Sequence, residues 1–480
     1  MPSFDLGIST NNNNLFLFYS WSACREFDGV SSDQCGFLMP RFIDRLPKDD
    51  NTNGWSALLP KRSPRHALAG ERDFDWVVIG AGYAGLAAAR RLAELRPDDS
   101  IAVLEAGEVG ENASGRNSGF AIDLPHTPST SAASVEQGRC AIRVGRFAIG
   151  ELERLIERHG ISCDWARRGR YHAAVTSQVA TDVLTTYAAN LRAWGEEFEL
   201  LSRGELEARL GTSYYYSAIY TPGTSLMNPA ALVRGLADSL PAGIELFENS
   251  PVVEAEFDGP SPYIRTSSGG LIRFGKLILA VNAFSQSFGV FRDRQVPVLL
   301  FASLTRPLTP EQQAKLGTDG NWGITPAHGV AGSTLRLTTD KRLLIRQGFE
   351  YSPSLDTNET RRQAARVQHA ELLERRFPQL GSLDIEHFWM GWLAVSHNHA
   401  PAFGQVSDNV YAAACCNGAG IVRHTAAGML IAELALGRHG ELTDDFLVQG
   451  TASYIPPRPL RDIGVQWTLM RERASGRHEC

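Results

Sequence analysis

The sequence predicts an α/β fold with a Rossmann-like dinucleotide-binding domain, on three observations. A short apolar run, Trp76 to Ile79, leads into Gly80, Gly82 and Gly85 at G-x-G-x-x-G spacing and then into an Ala- and Leu-rich stretch. A second apolar run, Ile101 to Leu104, ends on Glu105, 20 residues past the third glycine. Far toward the other end of the chain, CCNGAGIVRHTAAGMLIAEL, Cys415 to Leu434, repeats the plan of a glycine turn opening a helix.

Before these elements lie about seventy residues of another character. They hold the tract Asn11 to Asn14, little periodic hydrophobicity and several turn formers, so residues 1–70 read as a loosely ordered extension. Met39 opens MPRFIDRLPKDD, which leaves residues 1–38 open as an added leader. From Asp75 the pattern sharpens into strand, glycine turn and a helix over Leu86 to Leu95 that Pro97, Asp98 and Asp99 end, followed by the strand up to Glu105.

Each part has a physical task. Gly80 permits the tight turn, Gly82 lets backbone approach a pyrophosphate, and Gly85 lets the helix pack close to the sheet. The phosphates then meet unpaired N–H groups at the helix N-terminus. Glu105 accepts hydrogen bonds from ribose hydroxyls and would repel a 2′-phosphate, which disfavours NADP. The fingerprint does not choose between FAD and NAD. The loop that follows, AGEVGENASGRNSGF (Ala106 to Phe120), offers many backbone N–H groups and one fixed cation, Arg116, and so suits the rest of a flavin dinucleotide. The late turn, after a strand over Asn409 to Ala414, offers dipolar stabilisation to negative charge on a ring system.

Composition excludes several classes. With 43% hydrophobic and 21% charged residues and a formal charge of −6, nothing marks a nucleic-acid partner. No apolar run approaches the roughly 20 residues of a membrane span, and no signal peptide is visible, so a cytoplasmic home follows by default. The seven cysteines are scattered without metal-ligand spacing, so neither a metal site nor a disulfide framework is expected.

Together, DWVVIGAGYAGLAAARRLAE, the ASGRNSGF loop, the strand LILAVNAF (Leu277 to Phe284), and GWLAVSHNHAPAFG through CCNGAG resemble the FAD-dependent D-amino-acid oxidase superfamily. Within it they are most similar to the branch of γ-glutamylputrescine oxidoreductase, sarcosine and glycine oxidases and the taurine dehydrogenase large subunit. The resemblance covers roughly residues 50 to 445. It implies a Rossmann-like FAD-binding domain (71–125, about 221–290 and 391–445) interleaved with a mixed-sheet α+β substrate domain (about 126–220 and 291–390), and a tail over 446–480. It also implies that Gly80, Gly82, Gly85 and Glu105 hold the ADP half with Ala106 beside the ribose. Ser114, Gly115, Arg116, Asn117 and Ser118 would lie along the pyrophosphate and isoalloxazine, Val252 would contact adenine through its backbone, and Asn417, Gly418, Gly420 and Ile421 would close over the pyrimidine end. Where related enzymes attach the flavin to a cysteine, this chain has Gly391 and Trp392, so FAD is expected to be noncovalent.

The implied reaction is oxidation of a C–N bond in a primary or secondary amine or amino acid, with oxygen or another electron acceptor completing the cycle. Candidates for that chemistry are Arg346, in the strand-like run Lys341 to Tyr351, and His397 and His399, which an extended chain would point to one side. Arg346 falls near a lysine position of sarcosine-oxidase-like enzymes, and a bidentate grip on an acidic substrate group is its alternative role. Tyr171 and His172 have weaker claims, as ordinary strand residues. Two other readings stay open: a taurine-dehydrogenase-like subunit active only with a partner, and a different flavin oxidoreductase on the same fold.

Overall fold

The computed structural model describes residues 40–48, 50–125 and 131–480; the expectations for residues 1–39, the leader and the asparagine tract among them, lie outside the described residues. Five mutually parallel strands run from one edge of a nine-stranded sheet, in the order Ile244–Phe247, Ile101–Leu104, Glu71–Ile79, Leu271–Leu279, Val410–Ala414. Ile101–Leu104 is buried along its whole length and Trp76–Ile79 along the inner half of its strand, as a parallel sheet covered on both faces requires. On one face lie the helices Tyr83–Leu95, Ala132–His159, Pro229–Asp238 and Gly420–Ala435; the apolar residues of Val252–Glu256, Tyr263–Thr266 and the segment around Phe288 belong to the cluster on the other.

Helix boundaries follow their chemistry. The Ser131 hydroxyl caps the helix Ala132–His159, and Gly160 in the left-handed conformation (φ 61°) ends it. Asn228 accepts from the N–H groups of Ala230 and Ala231 at the start of Pro229–Asp238, whose first residue is proline. The expected strand over Leu277 to Phe284 is shorter: it stops at Leu279, and Asn282–Phe288 is a 3₁₀ helix, because Asn282 (φ 43°) turns the chain and gives its side-chain oxygen to the Cys415 N–H.

A second, eight-stranded sheet is mixed. Most of its pairs are antiparallel, and Trp322–Pro326 runs parallel to Arg170–Ala174. Val296–Thr305, Leu343–Tyr351 and Ile385–Val395 form its end nearest the nucleotide loop, with Trp389 donating to the Arg116 carbonyl.

Residues 40–70 differ from the loose extension expected. Arg41–Phe42 pairs with Val252–Glu256, the Asn53 amide donates to the Gly110 and Gly115 carbonyls, and the buried Trp55 indole donates to the Asn117 carbonyl. Hydrogen bonds and irregularly spaced anchors, with Ile43, Trp55 and Leu68 buried, hold this segment, so it carries no periodic signal. The tail is also docked. Its helix Leu460–Ser475 packs Leu469 inward, and the Glu479 carboxylate accepts from the Val175 and Thr176 N–H groups.

Two glycines set the spacing of the nucleotide half. A side-chain carbon on Gly85 would land on the Gly80 carbonyl, and one on Gly428 would land on the Ala84 carbonyl, so helix meets strand and helix meets helix at backbone contact. Gly428→Ala is expected to destabilise the fold by about 1–3 kcal/mol although alanine is the better helix former. Gly464→Ala, where the added carbon meets nothing, should hold or raise the melting temperature. Thermal unfolding checks the contrast, and equal shifts would remove the packing argument.

Candidate active site

The carboxyl ends of the parallel strands open into one cavity of about 900 Å³, near the upper end of the usual range for small-molecule sites, roughly 300–1,000 Å³. Its floor includes Gly80, Gly82, Glu105, Ala106, Ser114, Arg116, Asn117, Ser118 and Val252. Asn417, Gly418, Gly420 and Ile421 close one side. The eight-stranded sheet supplies the opposite wall with Phe301, Thr334, Arg346, Trp389 and Gly391.

Two helices begin at this cavity without a side-chain cap. Gly82 precedes Tyr83–Leu95 and Ala419 precedes Gly420–Ala435; neither first turn carries an acid. Uncapped N–H groups and the positive ends of two helix dipoles thus face one space, a combination suited to an anionic ligand with an electron-rich ring. Gly82 leaves the approach open, since a side-chain carbon there would meet Ser114 Oγ. Glu105 accepts from the Ala81 N–H at 2.9 Å and the Gly107 N–H at 3.3 Å. Burial nonetheless raises its pKa, and ribose hydroxyls are the kind of donor that would offset that. A dinucleotide fits this donor set.

Arg346 lies in the cavity wall and donates to Thr334 Oγ1 at 2.6 Å, with no carboxylate in ion-pair reach among the described residues. Burial pushes its guanidinium down to about 10, which still leaves it charged at neutral pH.

Three expected site residues stand elsewhere. Gly85 and Gly115 do not line the cavity; both are packing positions, Gly115 against the Gly110 carbonyl. His397 is the larger correction. Residues 397–399 form a turn, with the His399 N–H on the Ser396 carbonyl and His399 at φ 57°, so the two histidines do not share a face. His399 lines the cavity and His397 does not. Desolvation, then the nearby Arg423 and His397, lower the His399 pKa below the ordinary histidine range.

Arg116 does line the cavity, but its charge is engaged. It pairs with Asp50 at 2.8 Å and donates to the Glu111 and Met390 carbonyls, while Arg362 reaches the other Asp50 oxygen at 3.0 Å. Desolvation opposes ionisation of Asp50, yet the Thr52 hydroxyl and the two guanidiniums hold its carboxyl below the usual range.

Other residues carry function that sequence reasoning missed. Arg336, buried in the second sheet, donates to the Ser118, Gly119 and Met227 carbonyls and so fixes the loop beneath the cavity. His172, named above as an ordinary strand residue, lines the cavity, accepts or donates at Thr325 Oγ1 (3.1 Å), and is pushed down to about 3 by burial and Arg170. Arg423 ends the first turn of Gly420–Ala435, His424 follows it, and both line the cavity. Burial and Arg423 push His424 down to about 4, and its Nε2 is buried without a hydrogen-bond partner among the described residues. The Arg423 guanidinium makes no hydrogen bond or ion pair among the described residues. A cation in the first turn opposes the helix dipole, and that was the available signal in VRHTAAG.

Fold and cavity fit a dinucleotide-binding enzyme whose site lies between a mostly parallel sheet and a mixed one. Residues 75–434 match the FAD dependent oxidoreductase (DAO) family, and the chain belongs to it: it is an FAD-dependent oxidoreductase. It is 28% identical over 398 residues to gamma-glutamylputrescine oxidoreductase of Escherichia coli K12, covering 80% of this chain and 88% of that one. It is 28% identical over 375 residues to a probable oxidoreductase, OrdL, of Haemophilus influenzae, covering 76% and 83%. Among solved structures, glycine oxidase from Geobacillus kaustophilus superposes with a TM-score of 0.64 at 21% identity, over 77% of this chain and 96% of that one. L-proline dehydrogenase from P. horikoshii gives 0.61 at 18%, over 82% and 100%. These two establish likeness of fold.

The Asp50 knot yields a pH-dependent expectation. Because the folded pKa is depressed, its contribution is complete above the ordinary value of 3.8 and is lost as pH falls through the lower folded value. Asp50→Asn should cost about 3 kcal/mol at pH 7, with the gap to wild type closing only under acid conditions. Denaturant titrations at several pH values check this, and a pH-independent gap would locate the effect outside the carboxylate.

Proposed function

We propose that the chain oxidises the C–N bond of a primary or secondary amine or amino acid that carries an acidic group, using noncovalently held FAD. A hydride leaves the carbon next to nitrogen, and water hydrolyses the resulting imine to an aldehyde or keto acid plus ammonia or a smaller amine. The observation that carries the acidic group is Arg346, a charged guanidinium in the cavity wall whose only hydrogen-bond partner among the described residues is a hydroxyl. A carboxylate or sulfonate would complete it with two parallel hydrogen bonds. The name of the relative gamma-glutamylputrescine oxidoreductase supports an amine.

FAD, when bound, supplies the hydride acceptor. The residues that would hold it are Gly80, Gly82, Glu105 and Ala106 at the ADP half, with Val252 beside the adenine. Ser114 to Ser118 would follow along the middle, and Asn417, Gly418, Gly420 and Ile421, with Arg423 behind them, the far end. Burial favours the neutral form of His399, whose ring nitrogen can then accept a hydrogen bond from the substrate nitrogen and serve as the site of proton uptake. Gly391 offers no thiol, and burial raises the pKa of Cys416, which also lines the cavity, so its unreactive thiol form dominates. Oxygen or another acceptor would complete the cycle.

Acid precipitation of the purified protein should release all of its yellow colour, and Glu105→Gln should weaken FAD binding by about 1–3 kcal/mol in a flavin titration. Colour retained in the precipitate would reject noncovalent attachment.

Arg346→Ala should raise KM by about 10- to 100-fold for acidic amines and leave uncharged amines nearly untouched. Anaerobic flavin bleaching by a panel of both kinds measures this. Equal losses on both would place Arg346 outside substrate binding, and failure of every amine to bleach the flavin would overturn amine oxidation itself.

A further inference from the structure

Residues 43–47, upstream of the nucleotide fingerprint, run along the cavity. Their near end is fastened to the parallel sheet: Arg41–Phe42 pairs with Val252–Glu256, and the Ile43 N–H donates to the Val253 carbonyl at 2.9 Å, next to the cavity residue Val252. The Arg41 guanidinium adds Asp258 at 2.9 Å and, at 3.2 Å, the carbonyl of Phe288, another lining residue. Arg45, Leu46 and Pro47 then line the cavity themselves. Leu46 packs on the apolar cluster of Ile79, Leu104, Val252 and Phe288, and Ile79 and Leu104 are the strand residues that lead into Gly80 and Glu105. The segment thus lies over the half of the cavity proposed to hold ADP.

The far end is fastened to the other sheet. Arg45 donates to the Pro353 carbonyl at 2.5 Å, in the turn that follows Leu343–Tyr351. The neighbouring Ser352 hydroxyl accepts from the Trp392 indole, and Trp392 lines the cavity from the mixed sheet. A stretch of chain that begins on one sheet and is tied to the other crosses the cavity between them. Leu46 and Pro47 are only half-buried although both line it, so a ligand beneath them would bury what the protein leaves open.

We propose, resting on the FAD placement above, that residues 43–47 are a retaining strap over the ADP half of FAD, with Leu46 and Pro47 covering the nucleotide and the Arg45–Pro353 bond as the latch. Both fastenings join protein groups to protein groups, so the latch opposes passage in either direction. The strap must lift for FAD to leave and lift again for FAD to enter. A side chain that merely touched bound FAD would slow release and leave uptake alone.

The test measures two rates by flavin fluorescence: FAD release from the diluted holoenzyme and FAD uptake by the full-length apoprotein. Arg45 is exposed, so Arg45→Ala leaves the core intact. It is expected to speed release and uptake each by about 10-fold, the loss of one hydrogen bond from a charged donor, with FAD affinity nearly unchanged. Arg72→Ala removes an exposed ion pair with Glu245 on the same sheet, neither residue lining the cavity, and should leave both rates as in wild type. Unchanged rates in Arg45→Ala overturn the strap. Faster release with unchanged uptake also overturns it and leaves Arg45 a simple contact, and a lower apoprotein melting temperature alongside the faster rates would put the effect in folding. Glu105→Gln, measured beside it, keeps the two readings apart: an unchanged FAD affinity there removes the FAD placement itself, whereas failure of Arg45→Ala alone removes only the strap.

Discussion

Backbone contact between two helices underlies the rest of this structure. Gly428 brings Gly420–Ala435 onto the Ala84 carbonyl of Tyr83–Leu95, and Gly85 brings the latter onto the turn out of its strand. Any side chain at those points would separate the helices and move their N-termini apart. Both termini instead open on the same cavity, uncapped and without acids, although one follows residue 82 and the other residue 419. A helix end left without partners in a protein interior is costly unless a ligand completes it. The fold therefore leaves its open positive ends where a dinucleotide would be held.

Charge elsewhere in the site is divided between holding the protein and facing the ligand. Arg116 and Arg362 meet on Asp50, and Arg336 donates to three backbone carbonyls, so these cations shape the loop under the cavity. Arg346 and Arg423 have no ionic partner among the described residues and both line the cavity. Burial lowers the pKa of each, a desolvation that an arriving anion would offset. The same division separates the histidines: His172 is held at Thr325 beside Arg170, while His399 sits at a turn facing the cavity.

The segment over residues 40–70 shows how much can depend on isolated contacts. Asn53 and Trp55 each tie the 110–117 loop by hydrogen bonds, and Asp50 neutralises the buried Arg116 inside it. A loop meant to follow a cofactor closely cannot be held by bulky packing from the ligand side. Here it is held from behind, by residues that precede the nucleotide fingerprint in the chain.

The sequence by itself determined what local spacing can encode. Strand, glycine triplet, helix and terminal acid in register from Trp76 to Glu105, and the glycine turn before Gly420–Ala435, were all legible because each is a rule about neighbours a few residues apart. It also put Arg346 on a strand. Only the tertiary structure decided which of these groups meet. His397 and His399 look like a pair in an extended chain, and a turn parts them. Arg116 looks like a free cation, and Asp50, distant in sequence and lodged in a stretch without periodicity, claims it. Arg423 gave only the faint signal of a cation in a first helical turn. Partnerships between residues hundreds of positions apart depend on how the two sheets are set against each other, and no local pattern carries that information.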